Sequence, residues 1–200
     1  MFFLAGAAAG LILGLLAGGR LGNLAQLRFR WPLVVILALV VKDVSFLSSL
    51  ATAWFVGPVY TLSLVALLGW TLWHAPRLRA MWLVSVGIAM NLMVVVANGG
   101  HMTIPLALAK KAAPVAQGIA KYGQWGQYML QGPNTHLNWL GDWLEMPWPL
   151  YRYFPQAYSP GDFVMFFGIV ILVFLGTGPR LAGLGGRLQI ADGRSRHPGV

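Results

Sequence analysis

Long apolar runs dominate this chain. They cover residues 2–19, 31–47, 54–73, 81–97 and 161–177. Each comes close to the roughly 20 helical residues that cross about 30 Å of hydrocarbon at 1.5 Å per residue. Of the 200 residues, 58% are hydrophobic and only 10% are charged, where soluble domains carry roughly 25% charge. The expected fold is therefore all-α, an integral membrane bundle of about five transmembrane helices. That bundle takes residues 1–178, with a long outer loop at 98–160 and a flexible cytoplasmic tail at 179–200.

The net charge of +9 is spread over the ends of the apolar runs. It reads as topology rather than as a nucleic-acid surface, since Lys and Arg are retained on the cytoplasmic side. Arg20, Arg28, Arg30, Arg77, Arg79, Arg180, Arg187, Arg194 and Arg196 form the inner set. Lys110, Lys111, Lys121 and Arg152 form a smaller outer set, diluted by Asp142 and Glu145. The first run has no basic segment before it and Arg20 after it, the reverse of a secretory signal. The expectation is a multi-pass protein of a bacterial inner (cytoplasmic) membrane, N-terminus outside and C-terminus cytoplasmic. No cysteine is present, which excludes disulfides, thiolate metal sites and thiol redox chemistry.

Within the first run Gly6, Gly10, Gly14 and Gly18 recur at four-residue spacing. In a bilayer such a smooth stripe lets another backbone come close, because lipid tails leave packing as the main source of helix association. It predicts a helix-packing partner. Lys42 and Asp43 fall well inside the second run, and Ser63 and Asn91 sit at comparable depth in the third and fourth. Charges there mark ion paths or neutralise one another, so these four residues form a candidate midplane polar layer.

The outer segment is aromatic and too long to be a plain linker. In 135–145, Trp139, Leu140, Trp143 and Leu144 follow helical spacing, which predicts a short helix lying in the headgroup region. A second is expected over 107–120, broken near Pro114. Asn98, Gly99, Gly100 and His101 close the fourth run. They read as a glycine helix cap or as backbone N–H groups presented to an anion. Ser159, Pro160 and Asp162 read as a capping box opening the fifth run. His101, His136, Asp142 and Asp162 share the outer side, but no close ligand spacing such as HExxH joins them, so the expected metal set is none. No cofactor is expected, with a lipid or pigment in the helix grooves left open.

The order of NGGHM with a following proline, then LNWLGD, then SPGD, together with the early GRLGNLAQLRFR, resembles a bacterial family of small polytopic membrane proteins of unknown function. The likeness runs from Gly19 to about Gly168. It picks out Arg20, Asn91, Asn98, Gly99, Gly100, Met102, Pro105, Leu140, Gly141, Asp142, Gly161 and Asp162. Where that family continues Met-Pro, this chain has Met102-Thr103-Ile104-Pro105. The resemblance implies the membrane class and no activity.

Three functions follow. The first is a non-enzymatic packing or accessory subunit of a larger membrane complex, with the bilayer and other subunits or a second copy as partners and no nucleic acid. The second is a small ion- or proton-coupled transporter using Lys42, Asp43 and Asn91. The third is an outer-face membrane enzyme.

Overall fold

The computed structural model describes residues 1–44 and 50–178. The chain is mostly helical. Helices α1 (Phe2–Leu16), α2 (Leu21–Leu24), α3 (Pro32–Val44), α4 (Val56–His74) and α5 (Met81–Ala97) come first. A folded insertion follows, with β1 (Met102–Ile104), α6 (Leu106–Ala109), α7 (Ala113–Tyr122), β2 (Gln124–Trp125) and β3 (Tyr128–Leu130). After two 3-10 turns, Asn138–Leu140 and Leu150–Arg152, the chain ends its described part in α8 (Pro160–Gly176). By length and composition α4, with 19 residues, is long and apolar enough to cross a membrane. α1, α5 and α8 are apolar but shorter, at 15, 17 and 17 residues. The tail at 179–200 lies outside the described residues.

Helix ends follow local chemistry. Gly18 takes φ +81° after α1. Its N–H donates to Leu15 O at 3.0 Å and that of Gly19 to Gly14 O at 2.9 Å, the paired bonds of a Schellman turn. α5 ends the same way: Gly99 has φ +64° and Gly100 N–H donates to Val95 O at 2.8 Å. α8 opens with the capping box. Ser159 Oγ accepts from Asp162 N–H at 2.9 Å, and Ser159 N–H donates to Asp162 Oδ2 at 3.1 Å.

α8 is the centre of the packing. α1 runs parallel to it, with Gly6 against Phe166, Gly10 against Val170 and Gly14 against Thr177. A methyl group on Gly10 would collide with the Val170 carbonyl oxygen. The glycine stripe thus finds its partner inside the chain, in a helix some 160 residues away. Gly18 does not belong to that contact; it is exposed and serves the helix end. On its other side α8 runs antiparallel to α5, with Gly161 beside Asn91 and Gly168 beside Val84. α4 lies on α5, where Ser85 Oγ donates to Thr71 Oγ1 at 2.9 Å. α3 lies antiparallel on α4, with the Trp31 and Trp73 rings 5.6 Å apart. Helix direction therefore alternates so that Arg20, Arg28, Arg30, Arg77 and Arg79 share one end, and the insertion caps the other.

The mostly helical chain agrees with the all-α expectation, and the cap adds a small sheet to it. That sheet has three strands in the order β1-β3-β2, β1 parallel and β2 antiparallel to β3. The break near Pro114 does separate two helices, α6 and α7. Residues 135–145 do not form the expected interfacial helix. After the 3-10 turn the chain straightens: Asp142 N–H donates to Thr103 O at 2.9 Å, and Leu144 pairs with Tyr158. Gly141 sits so close to Thr103 that any side chain would clash, which makes this a β1 contact rather than a helix. Leu140 is buried, whereas Trp139 and Trp143 remain exposed.

Candidate functional site

A cavity of about 240 Å³ lies among α3, α4, α5 and α8. Its body is apolar, with Leu64 and Leu67 on α4, Ile88 on α5, and Met165, Ile169 and Leu172 on α8. Toward the cap the wall turns polar, with Tyr60, Ser63, Asn91, Gln127, Asp142 and Asp162. Val35, Ala38 and Leu39 of α3 close the side opposite α8.

Each polar group arrives by a different route. Asn91 is carried by α5 to the start of α8. Its Nδ2 donates to Asp162 Oδ1 at 2.9 Å, and its Oδ1 accepts from Ser159 Oγ at 2.7 Å. The approach depends on Gly87 and Gly161, since a Cβ on Gly87 would lie 2.5 Å from Gly161 O. Asp162 therefore anchors its own helix cap and the α5–α8 contact at once. Asp142 is buried on the strand-like segment held to β1.

Gln127 sits at the tip of the hairpin joining β2 and β3. Trp125 and Tyr128 pair across a two-residue turn in which Gly126 has φ +56°. Gly126 N–H donates to Ala51 O at 2.8 Å and Met102 N–H to Gln127 O at 2.6 Å, pinning the tip. The Gln127 side chain is buried and its Oε1 has no hydrogen-bond partner among the described residues.

The expected midplane layer is divided. Asn91 is bonded to Asp162 and Ser159, while Ser63 Oγ donates to Tyr60 O at 2.7 Å on its own helix. Both still face the cavity. Lys42 and Asp43 stand in the last turn of α3, and their side chains lie outside the described residues.

The outer motif separates likewise. Asn98 Nδ2 donates to Val94 O and to His136 O, each at 2.8 Å, and Asn98 Oδ1 accepts from His136 N–H at 2.8 Å. Asn98 thereby ties the end of α5 to the cap loop. His101 is buried beside Gly57, and removal from water lowers its pKa below the usual value, against weaker opposing bonds from Asn98 and Gly99. His136 is exposed. Among the described residues no three His, Asp or Glu side chains gather in a metal-binding group. Burial, then Asp142, raises the Tyr128 phenol well above its ordinary pKa, and burial, then Asp162, pushes Tyr158 up to about 12.

Sequence reasoning did not single out Gln127, Tyr60 or Gly87. For Gln127 a signal exists: Trp125 and Tyr128 flank a two-residue Gly-containing turn, a hairpin pattern. Most residues that carry the family resemblance converge here. Asn91, Met102, Asp142 and Asp162 line the cavity. Gly141 and Gly161 permit the contacts beside it, and Asn98, Gly99 and Gly100 close the neighbouring helix end. Arg20 does not join them; its N–H donates to Thr177 O at the far end.

Nothing among curated proteins or solved structures matches the chain. One family model does match, over residues 26–174, which include every residue lining the cavity except Phe3. The chain belongs to that family, described as a family of unknown function, DUF5317.

Proposed function

We propose that this protein is a five-span membrane protein that holds an amphiphilic molecule inside its helix bundle, without catalysing a reaction on it. The cavity carries this reading: an apolar body between helices, with a polar wall at the capped end. Large apolar side chains such as Leu16, Leu33, Leu62, Val96 and Phe167 point outward on all five long helices. An apolar perimeter of that extent on a water-soluble monomer would be exceptional; lipid solvates it. The alternating helix directions, with five arginines at one end, support an N-out orientation with that end in the cytosol. The shorter helices need only modest thinning of the bilayer, at fractions of a kcal/mol per Å.

The accessory-subunit reading loses its main support, because α8 occupies the glycine stripe. The ion-relay reading gains none from Asn91, whose amide is committed at both ends to fixing α8.

The test is extraction of the protein in mild detergent, followed by mass spectrometry of what leaves with it into organic solvent. Ala38→Phe projects into the cavity, while Leu37→Phe places the same side chain on the outward face. An amphiphile at near-stoichiometric amount in wild type and Leu37→Phe, and depleted in Ala38→Phe, supports the reading. Equal background levels in all three would remove it.

A further inference from the structure

One lobe of the cap leaves a broad apolar side bare. Its base is a backbone pair: Leu144 N–H donates to Tyr158 O at 2.9 Å and Tyr158 N–H to Leu144 O at 2.8 Å. Residues 145–157 form a closed excursion between these two strand-like positions. Pro147, Pro149 and Pro155 restrict its backbone.

Contacts hold the lobe on two sides. On one, Lys111, between α6 and α7, pairs with Glu145 and lies over the Tyr151 ring, 5.1 Å from its centroid. On the other, the Phe154 ring meets Phe2 edge-on at 6.2 Å, and the Tyr158 ring lies 4.4 Å from Phe2. Phe2 is the first residue of α1, and Tyr158 stands just before α8 opens at Pro160. The lobe therefore sits at the capped end of the α1–α8 pair, level with their first turns.

Phe154 and Tyr158 pack inward, but Trp148 is 76% exposed, Tyr153 67% and Leu150 47%. At the same height α1 turns Leu4 outward. Three surroundings can be compared for this bare face. Water leaves its apolar area solvated without compensation. Pure hydrocarbon would strand the Trp148 indole N–H, the Tyr153 hydroxyl and the irregular backbone of the lobe. The headgroup layer suits both halves, since ring bodies leave water while polar tips stay wet; Trp and Tyr gather at that depth for this reason. Arg152 is exposed beside Tyr153 and brings a guanidinium whose geometry fits phosphate.

We propose that residues 145–157 are a membrane-interface anchor, with Trp148, Leu150 and Tyr153 in the phospholipid headgroup layer of the outer leaflet and Arg152 on its phosphates. This assignment rests on the five-span reading above, which sets that layer at the first turns of α1 and α8. Anchors of this kind help to set helix tilt, so the lobe fixes how the gripped α1–α8 pair stands in the bilayer.

The chain has no cysteine, so one introduced cysteine takes one spin label. Full-length Trp148→Cys, Leu37→Cys and Gln117→Cys are labelled and placed in phospholipid nanodiscs. Collisions with oxygen, which concentrates in lipid, are compared with those of a water-soluble nickel chelate. Leu37 faces outward on α3, and Gln117 is exposed on α7 of the cap. The oxygen-to-nickel ratio at 148 should fall between those at 37 and 117, and Tyr153→Cys should agree with it. Adding Arg152→Gln should shift the 148 label toward water; an unmoved label removes the phosphate contact from the assignment. Ratios at 148 and 153 equal to that at 117 would overturn the anchor, and ratios equal to that at 37 would refute the headgroup depth. In both cases a lipid-like label at 37 keeps the five-span reading, whereas a water-like label there removes that reading itself. Label–label broadening at 148 that disappears on dilution with unlabelled protein would give the face to a second copy of the chain and overturn the lipid assignment.

Discussion

The two helices facing each other across the cavity are held in opposite ways. α8 is gripped on both flanks through backbone contacts: Gly10 meets the Val170 carbonyl, Gly87 meets Gly161, and Gly168 comes within 2.9 Å of Val84 N, measured from a notional Cβ. α3 contains no glycine, serine or threonine, and among its described residues only Ala38 is buried. Its Leu33, Ile36 and Leu37 face outward. Surrounding lipid would satisfy them as well as protein does, so α3 gains little by closing on α8. The comparison teaches where space survives in an apolar bundle. Small residues draw backbones together and leave no gap; bulky ones meet across a gap that a ligand can fill.

The strongest challenge to this contrast is Gly10→Leu. Its side chain must pass through the Val170 backbone, which cannot rotate away as a side chain could. Overpacking of this kind costs about 1–3 kcal/mol or more. We expect a large fall in the thermal midpoint in detergent and in folded yield. Gly69→Leu, in α4 with nothing within 4 Å of its notional Cβ, should behave as wild type. Equal tolerance at both positions would mean that the Gly10 contact does not grip α8.

Next in size is the bond that sets the height of α8 against α5. Asn91→Leu keeps the volume but strips Asp162 and Ser159 of their shared partner. Loss of a hydrogen bond to a carboxylate costs roughly 1.5–3 kcal/mol. A double-mutant cycle with Asp162→Asn should show strong coupling, because the two changes remove one interaction. Leu37→Ala, on the outward face of α3, should stay within about 0.5 kcal/mol of wild type. Additive losses at Asn91 and Asp162 would mean that the aspartate serves its own helix cap alone.

How far this contrast could be read from sequence differs by range. Helix ends were readable because their chemistry is local: Ser159 with Asp162, Gly99 after α5, and Pro114 at the start of α7. The glycine stripe announced a close partner but not which one, since its match to α8 depends on contacts at the other end of the chain. Strands of two or three residues are too short to show alternation, so the cap sheet left no periodic trace. Trp139, Leu140, Trp143 and Leu144 did show helical spacing, yet Gly141 is pressed against Thr103 and the segment pairs with Tyr158 instead. Gln127 is a neutral amide in a turn. Only the folded hairpin, seated on Ala51 and Met102, reveals that it is buried.

The smallest expected effect lies on the loose side and concerns pH. His101 packs against Gly57, near the start of the helix that carries α3, so it joins that half of the bundle to the cap. Its lowered pKa means the fold favours the neutral ring. Well above the ordinary value of about 6.5, the ring is neutral in folded and unfolded chains alike and the full stability is present. As pH falls through 6.5 toward the lowered folded value, the unfolded chain takes up its proton first and stability declines. His101→Gln should flatten this slope. Hydrogen exchange can locate the loss: amides of α4 and the start of β1 should open earlier at pH 5.5 than at pH 7.5, with α1, α5 and α8 unchanged. Opening first between α5 and α8 would reverse the assignment of which side yields, since it would put the weaker contact at the glycine-clamped interface.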